Sequence, residues 1–230
     1  MNKLGRFICQ LFAFIVLYAL IIVSNEVHAA LNSHALLNEP LAVASPKPLP
    51  ALEQALNKAR LAQNAALLAS RQALKAADAA RNALAQALNG DSKYNVITDS
   101  EGYRYAGGWL AKRPNNKGYH GFGILSWPNG NRYEGGFLLG RKNGYGVFNG
   151  GNGDHYQGVF IDGEIGGYGQ YLFPEGNRYE GEFRHGYRHG YGVMVYANGE
   201  RYEGEWRDNE KRGYGVLFAP DGKQLQAGIW

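Results

Sequence analysis

One phrase recurs five times in the second half of this chain, and its spacing leaves few folds open. Tyr105-Ala106-Gly107-Gly108-Trp109, Tyr133-Glu134-Gly135-Gly136-Phe137, Tyr156-Gln157-Gly158-Val159-Phe160, Tyr179-Glu180-Gly181-Glu182-Phe183 and Tyr202-Glu203-Gly204-Glu205-Trp206 start 28, 23, 23 and 23 residues apart. Extra residues around 111–117 account for the longer first step. A glycine–aromatic–glycine phrase follows each copy, from Gly121-Phe122-Gly123 to Gly213-Tyr214-Gly215. A turn phrase then closes the unit, as in Pro128-Asn129-Gly130 and Pro220-Asp221-Gly222. Fixed-period self-similarity of this kind marks an array of supersecondary units that bury a core only by stacking.

Each unit has the grammar of a β-hairpin. Strand alternation puts the tyrosine, the glycine and the second aromatic on one face, with the intervening Glu or Gly on the other. On this reading the pairs Glu180/Glu182 and Glu203/Glu205 form a solvated polar face. Asn-Gly and Asp-Gly pairs supply the positive φ of tight turns. Glycine weakens a strand unless something needs the space, so each strand glycine is expected to make room for a ring. Thirty-one of the 33 glycines lie beyond Glu101, together with 14 of the 16 tyrosines and all four tryptophans, as this pairing requires. Collagen, with glycine at every third position, is excluded, and so is simple disorder, since aromatics supply core.

The fold class expected is mainly β: an open, single-layer β-hairpin solenoid of about five and a half repeats, preceded by an N-terminal signal or anchor and one long Ala-rich α-helix. The repeats lie near 105–127, 133–152, 156–175, 179–198 and 202–221, with a partial unit at 226–230. Roughly eleven strands at ~4.8 Å would span ~50 Å. The ladder Tyr105, Trp109, Tyr133, Phe137, Tyr156, Phe160, Tyr179, Phe183, Tyr202 and Trp206 is expected to line a groove.

The first hundred residues read differently. Lys3 and Arg6 precede an apolar run over 7–23, and Val27-His28-Ala29 fits a cleavage site before Ala30. Residues 1–29 are therefore an export signal, giving a periplasmic or secreted product if cut near Ala29/Ala30. The alternative is an uncleaved membrane anchor formed by residues 7–23. Residues 30–50 form a Pro-rich linker. Residues 51–89 form an Ala/Leu-rich helix with Leu52, Leu56, Leu67, Leu74, Leu84 and Leu88 in one stripe, interrupted by Gln63 and Arg81, and with Leu61 and Leu68 opposite. That leucine stripe is expected to be the buried face. The helix is expected to cap the sheet or lie in its groove, within one chain or across a dimer.

The repeated Tyr-Glu-Gly opening followed by Gly-Tyr-Gly-Val resembles the MORN (membrane occupation and recognition nexus) repeat over 103–230. The resemblance implies a hairpin solenoid used for protein binding, dimerisation or membrane attachment, with grooves able to receive helical peptides.

Little in the sequence points to chemistry. His185 and His189 are spaced as His-x-x-x-His but have no adjacent Glu and no obvious third ligand, and no thiol is expected in the mature chain, so the reading is non-catalytic with no cofactor and no metal. Charge is near balance in both halves, with 9 basic and 7 acidic residues to Glu101 and 15 and 13 beyond, which argues against nucleic acid as a partner. Basic residues recur at matching repeat positions: Arg141 and Lys142; Arg184, His185, Arg188 and His189; Arg207, Lys211 and Arg212. The segment 184–190 reads as a flexible hairpin loop, and together these residues could form a discontinuous rim for anionic head groups. The leading function is an exported protein–protein scaffold, self-associating through the helix or the groove of the repeat sheet. Attachment to anionic membrane lipid is the alternative, and carbohydrate or cell-wall binding on the aromatic face is a third.

Overall fold

Twelve antiparallel strands follow one another without a crossover in the computed structural model, which describes residues 50–110 and 118–230. The signal or anchor reading of 1–29, most of the linker and the insertion at 111–117 lie outside the described residues. Helix α1 (Pro50–Leu88) leads into β1 (Tyr94–Thr98) and β2 (Arg104–Trp109). Then come β3 (Tyr119–Ser126), β4 (Arg132–Leu138), β5 (Arg141–Asn149), β6 (His155–Ile161) and β7 (Glu164–Leu172). The sheet continues through β8 (Arg178–Arg184), β9 (Tyr187–Val195), β10 (Arg201–Arg207), β11 (Glu210–Phe218) and β12 (Gln224–Ile229). The sheet is open, as the repeat implies, but it starts earlier than the repeats. β1 lies before residue 103, pairs with β2 in register Tyr94 to Gly108, and carries none of the repeated phrases.

Each of the last four repeats is one hairpin closed by two residues. Leu139-Gly140, Asp162-Gly163, His185-Gly186 and Asp208-Asn209 all have positive φ, the signature of the primed turns that match strand twist. The longer Pro-Asn-Gly-type phrases connect one repeat to the next, with Gly130 N donating to Trp127 O at 3.1 Å and its equivalents doing the same. A register shift recurs inside the hairpins, between Gly135 and Phe137, Gly158 and Phe160, and Gly181 and Phe183.

One face of the sheet is closed by its own rings. Tyr105, Tyr133, Tyr156, Tyr179 and Tyr202 are all 0% exposed. Each hydroxyl donates to the backbone carbonyl three residues on, from Tyr105 to Gly108 at 2.6 Å to Tyr202 to Glu205 at 3.2 Å. The rings alternate edge-on along the ribbon: Tyr156 meets Phe160 at 5.3 Å and Phe183 at 5.3 Å, and Tyr179 meets Phe183 at 5.1 Å and Trp206 at 5.3 Å. Edge-to-face pairs at such separations gain energy beyond the area they bury. Glycine is what admits them. A Cβ at Gly204 would lie 2.6 Å from the Tyr202 hydroxyl and 2.6 Å from the Gly215 backbone.

The other face is closed by α1. The helix contacts every strand from β1 to β11, and 39 residues at ~1.5 Å rise give ~58 Å, close to the ~53 Å spanned by twelve strands. Its buried residues are not the expected leucines. Apart from Leu52, the buried hydrophobic residues are all alanines, and all but Ala77 fall in two series seven residues apart: Leu52, Ala59, Ala66, Ala73 and Ala80, interleaved with Ala55, Ala62, Ala69, Ala76 and Ala83. Leu67, Leu74 and Leu88 are 37%, 45% and 66% exposed, and Leu61 and Leu68 are exposed too. Small side chains let the helix axis approach the pleated surface of Ile124, Val147, Val193 and Val216, where leucine would hold it away. Seven residues of helix advance ~10.5 Å and two strands ~9.6 Å, so each heptad meets one repeat. Gly90, in the left-handed conformation, ends the helix.

Candidate interaction surfaces

Beneath α1 runs a row of polar residues spaced by the repeat. Glu134, Gln157, Glu180 and Glu203 occupy the first position after the last four ladder tyrosines, while Ala106 follows Tyr105. The three glutamates are 7%, 2% and 4% exposed. They are therefore not a solvated face: the helix covers them, and charges so placed need partners. Each has one on its own strand. Arg132 reaches Glu134 at 2.7 Å, Arg201 reaches Glu203 at 2.7 Å, and Arg178 approaches Glu180 to 3.1 Å as an ion pair without hydrogen-bond alignment.

Each also has a partner on the helix. Arg60 Nε donates to Glu203 at 3.0 Å and Gln63 Nε2 to Glu180 at 2.6 Å. Ser70 Oγ donates to Gln157, and Arg81 donates to Glu134. The Arg81 guanidinium is held above its ordinary value by Asp78 first and by Glu134. At the third repeat the polar row is neutral: Gln157 stands for Glu, His155 for Arg, and Ser70 is its helix partner. Burial pushes the His155 imidazole down, toward its neutral form, so this repeat joins the ladder without charge. Gln63 and Arg81, which interrupt the leucine stripe in the sequence, are two of the four residues that set α1 on the sheet.

The second acids, Glu182 and Glu205, serve the backbone. Glu182 accepts from Tyr191 N at 3.1 Å and Glu205 from Tyr214 N at 3.2 Å, beside the positive-φ residues Gly190 and Gly213. They do not converge with the first acids, which point to the same face but are engaged by arginine and α1.

The basic residues expected to form one rim divide into two sets. The segment 184–190 is not a loop: only His185 and Gly186 form the turn, with Arg184 ending β8 and Arg188 and His189 inside β9. Lys142, Arg188 and Lys211, at one equivalent position of the second, fourth and fifth repeats, fold over the aromatic face, where the third repeat has Ile165. Lys142 Nζ lies 5.0 Å from the Phe160 ring centre, the Arg188 guanidinium 4.8 Å from Trp206, and Lys211 Nζ 4.5 Å from Trp230. These are cation–π contacts in partly dry surroundings, and burial pushes both Lys142 and Arg188 below their ordinary values. Arg141, Arg184, His185, Arg207 and Arg212 stay exposed, and His189 is half-buried. Acids are interspersed among them: His185 meets Glu164 at 2.9 Å, Arg212 meets Glu210 at 2.9 Å, and Arg207 and His189 each lie 3.9 Å from Asp208. Arg141 and Arg184 have no partner among the described residues.

The ten ladder aromatics do come together, but as a core and not as the lining of an open groove; Trp109 alone is only partly buried. Burial holds Tyr133, Tyr156, Tyr179 and Tyr202 far above the ordinary tyrosine value, and Tyr105 with them. What the sequence reading missed is the polar row beneath α1, and its signal was available: a first-position acid or amide every 23 residues, facing a helix with alanine every seven.

An uncrossed ribbon of stacked hairpins, glycine packed on tyrosine, defines a β-hairpin repeat protein. The matching family model is the MORN repeat, over residues 116–132, 133–155, 156–178, 179–201 and 202–224. Residues 116–224 are thus five consecutive MORN repeats. No curated protein matches it. Among solved structures it is similar to the TCP10 domain of Danio rerio CPAP, at 12% identity over 59% of this chain and 61% of that one, with a TM-score of 0.25. It is also similar to the Drosophila melanogaster SAS-4 (dCPAP) TCP domain in complex with a proline-rich motif of Ana2 (dSTIL), at 15% identity over 60% and 90%, with a TM-score of 0.27. The chain spans about three fifths of the first of these, and at such scores neither likeness carries an argument.

Proposed function

We propose that this chain is a non-catalytic interaction scaffold that works by protein–protein contact, self-association included. The observation that carries the reading is the helix face itself. A sheet built of MORN repeats holds a 39-residue helix through one polar contact in each of four repeats and an alanine seam. The surface is thus physically suited to take a helix in register. The exposed outer side of α1, with Leu61 and Leu68, offers a second contact surface. The acids with the strongest claim to chemistry are tied to arginines, amides and the helix, which supports a binding role over acid–base work. Export belongs to the same proposal and rests on residues 1–29.

Crosslinking of the native, full-length chain followed by mass spectrometry tests this. The expected product joins α1 or the sheet to one protein species, or to a second copy, at fixed stoichiometry. Recovery as an uncrosslinked monomer at every concentration contradicts it. N-terminal sequencing of the same material is expected to begin at Ala30; a start at Met1 supports the anchor.

A second reading, peripheral attachment to anionic phospholipid, is favoured by Arg141 and Arg184, both exposed and without partners among the described residues. Co-sedimentation with phosphatidylserine vesicles that fades with salt and is lost in Arg141→Ala/Arg184→Ala supports it. Salt-independent or absent binding rejects it. Carbohydrate binding on the ladder is not proposed, because the rings it needs are buried.

A further inference from the structure

Two clefts beside α1 are the same place in the fold, three repeats apart. The first, about 500 Å³, is lined by His120, Phe122, Leu138, Asn143 and Tyr145, with Gln72, Lys75 and Ala76 of the helix as its wall. The second, about 490 Å³, is lined by His189, Tyr191, Arg207 and Arg212, with Arg184 beside them. His120, Phe122, Leu138 and Asn143 become His189, Tyr191, Arg207 and Arg212 on advancing 69 residues, three periods of 23. Ile161 and Tyr168, 53% and 38% exposed, lie at the corresponding positions between them. The clefts therefore lie ~29 Å apart, at two strands of ~4.8 Å per repeat, on one line of equivalent positions, the trough.

The trough changes character along its length. Its first end is apolar, with Phe122, Leu138 and Tyr145 exposed by 46%, 46% and 43%. Its far end carries three guanidinium groups, of which Arg184 has no partner among the described residues. Lys58 of α1 adds a fourth cation beside Tyr191, 5.0 Å from its ring centre. Acids are present but largely engaged: Glu182 and Glu205 accept from backbone amides, Glu210 meets Arg212, and Asp208 lies 3.9 Å from Arg207 and from His189. At both ends a histidine, His120 and His189, has an enclosed Nδ1 without a hydrogen-bond partner, a state that normally calls for one.

We propose that this trough binds an extended segment of a partner protein in which an apolar stretch adjoins a run of acidic residues. The apolar stretch lies over Phe122, Leu138 and Tyr145, and the acids lie over Arg184, Arg207 and Arg212. About nine residues at ~3.3 Å each fill the length. The arginine forks match carboxylates in pairs, and burying the exposed rings and leucine supplies the hydrophobic part. This rests on the reading of the chain as a protein-interaction module, and names the chemistry of one partner segment.

Selection of random twelve-residue peptides displayed on phage against the full chain tests it, with the selected peptides then measured by fluorescence anisotropy. The expected peptides place two or more Asp or Glu at one end of an apolar run. Their affinity is expected to fall about tenfold in Arg184→Glu/Arg207→Glu, steeply with salt, and about tenfold in Leu138→Ser/Tyr145→Ser without salt dependence. All four positions are at least partly exposed, and unchanged thermal unfolding shows that the variants fold. Selected peptides that lack acids, or bind every variant equally, overturn the trough and leave the interaction reading standing. A selection that yields no binder, while crosslinking still finds a partner, overturns the trough alone. Phosphatidylserine vesicles that bind with the same variant sensitivity, where peptides do not, assign the trough to lipid instead.

Discussion

The two faces of the sheet are closed by different means. On the aromatic face each repeat supplies its own lid: a tyrosine folds over two glycines, donates to the carbonyl three residues on, and meets the next repeat's ring edge-on. On the helix face the lid comes from a single distant segment, α1, held by alanines and by four polar contacts that differ from repeat to repeat. The first face is local and periodic, so losing one ring damages the array. The second depends on matching a seven-residue period to a 23-residue one, and can in principle be lifted as a unit.

The largest effect that would sharpen this contrast is on the ladder. Tyr179→Ala removes a fully buried ring between Phe183 and Trp206, and is expected to cost about 3–5 kcal/mol in urea unfolding. A loss under about 1 kcal/mol would show that the rings are not the core. Next, Ala73→Leu overfills the contact with Val147. It is expected to destabilise by about 1–3 kcal/mol, with the helical circular-dichroism signal melting before the sheet. A single unchanged transition would break the contrast.

Alkaline pH comes third. The ladder tyrosines have folded values raised by burial, so their contribution is complete below about 10 and is lost as pH rises further. Above pH 10 the unfolded chain holds fewer protons than the folded one. Stability then falls by about 1.4 kcal/mol per pH unit for each tyrosine kept protonated. Their absorbance near 295 nm is expected to change only with unfolding; titration of all five in the folded sheet would contradict their burial. Lys142, lowered by burial, has the opposite sign, so Lys142→Met is expected to be neutral or stabilising at pH 7. The smallest effect is Arg81→Ala. Glu134 keeps Arg132 and Arg81 is half-exposed, so about 1 kcal/mol is expected, read as faster amide exchange in the last turns of α1.

The same contrast explains what the sequence made legible. The ladder, the turns and the glycine–ring pairing all lie within one period, so the sequence alone places Tyr179 and Gly192. β1 could not, because Tyr94–Thr98 carries none of the repeated phrases and forms a strand only because β2 offers it an edge. The buried side of α1 was misread because hydrophobicity favours leucine, whereas a helix lying close on a flat sheet favours alanine. Glu180 and Glu203 were read as solvent-facing because strand alternation says which face a residue occupies, not what covers it. Lys142 and Arg188 looked like loop cations because the register shift that turns them over the rings leaves only glycines as its trace.

Native-state hydrogen exchange of the full-length chain tests the two-lid account most directly. The account predicts that amides of residues 50–88 exchange through an opening of lower free energy that leaves β4–β11 protected, and that Ala73→Leu lowers only that opening. Exchange of α1 and the sheet through one common opening, shifted equally by Ala73→Leu and Tyr179→Ala, would contradict it.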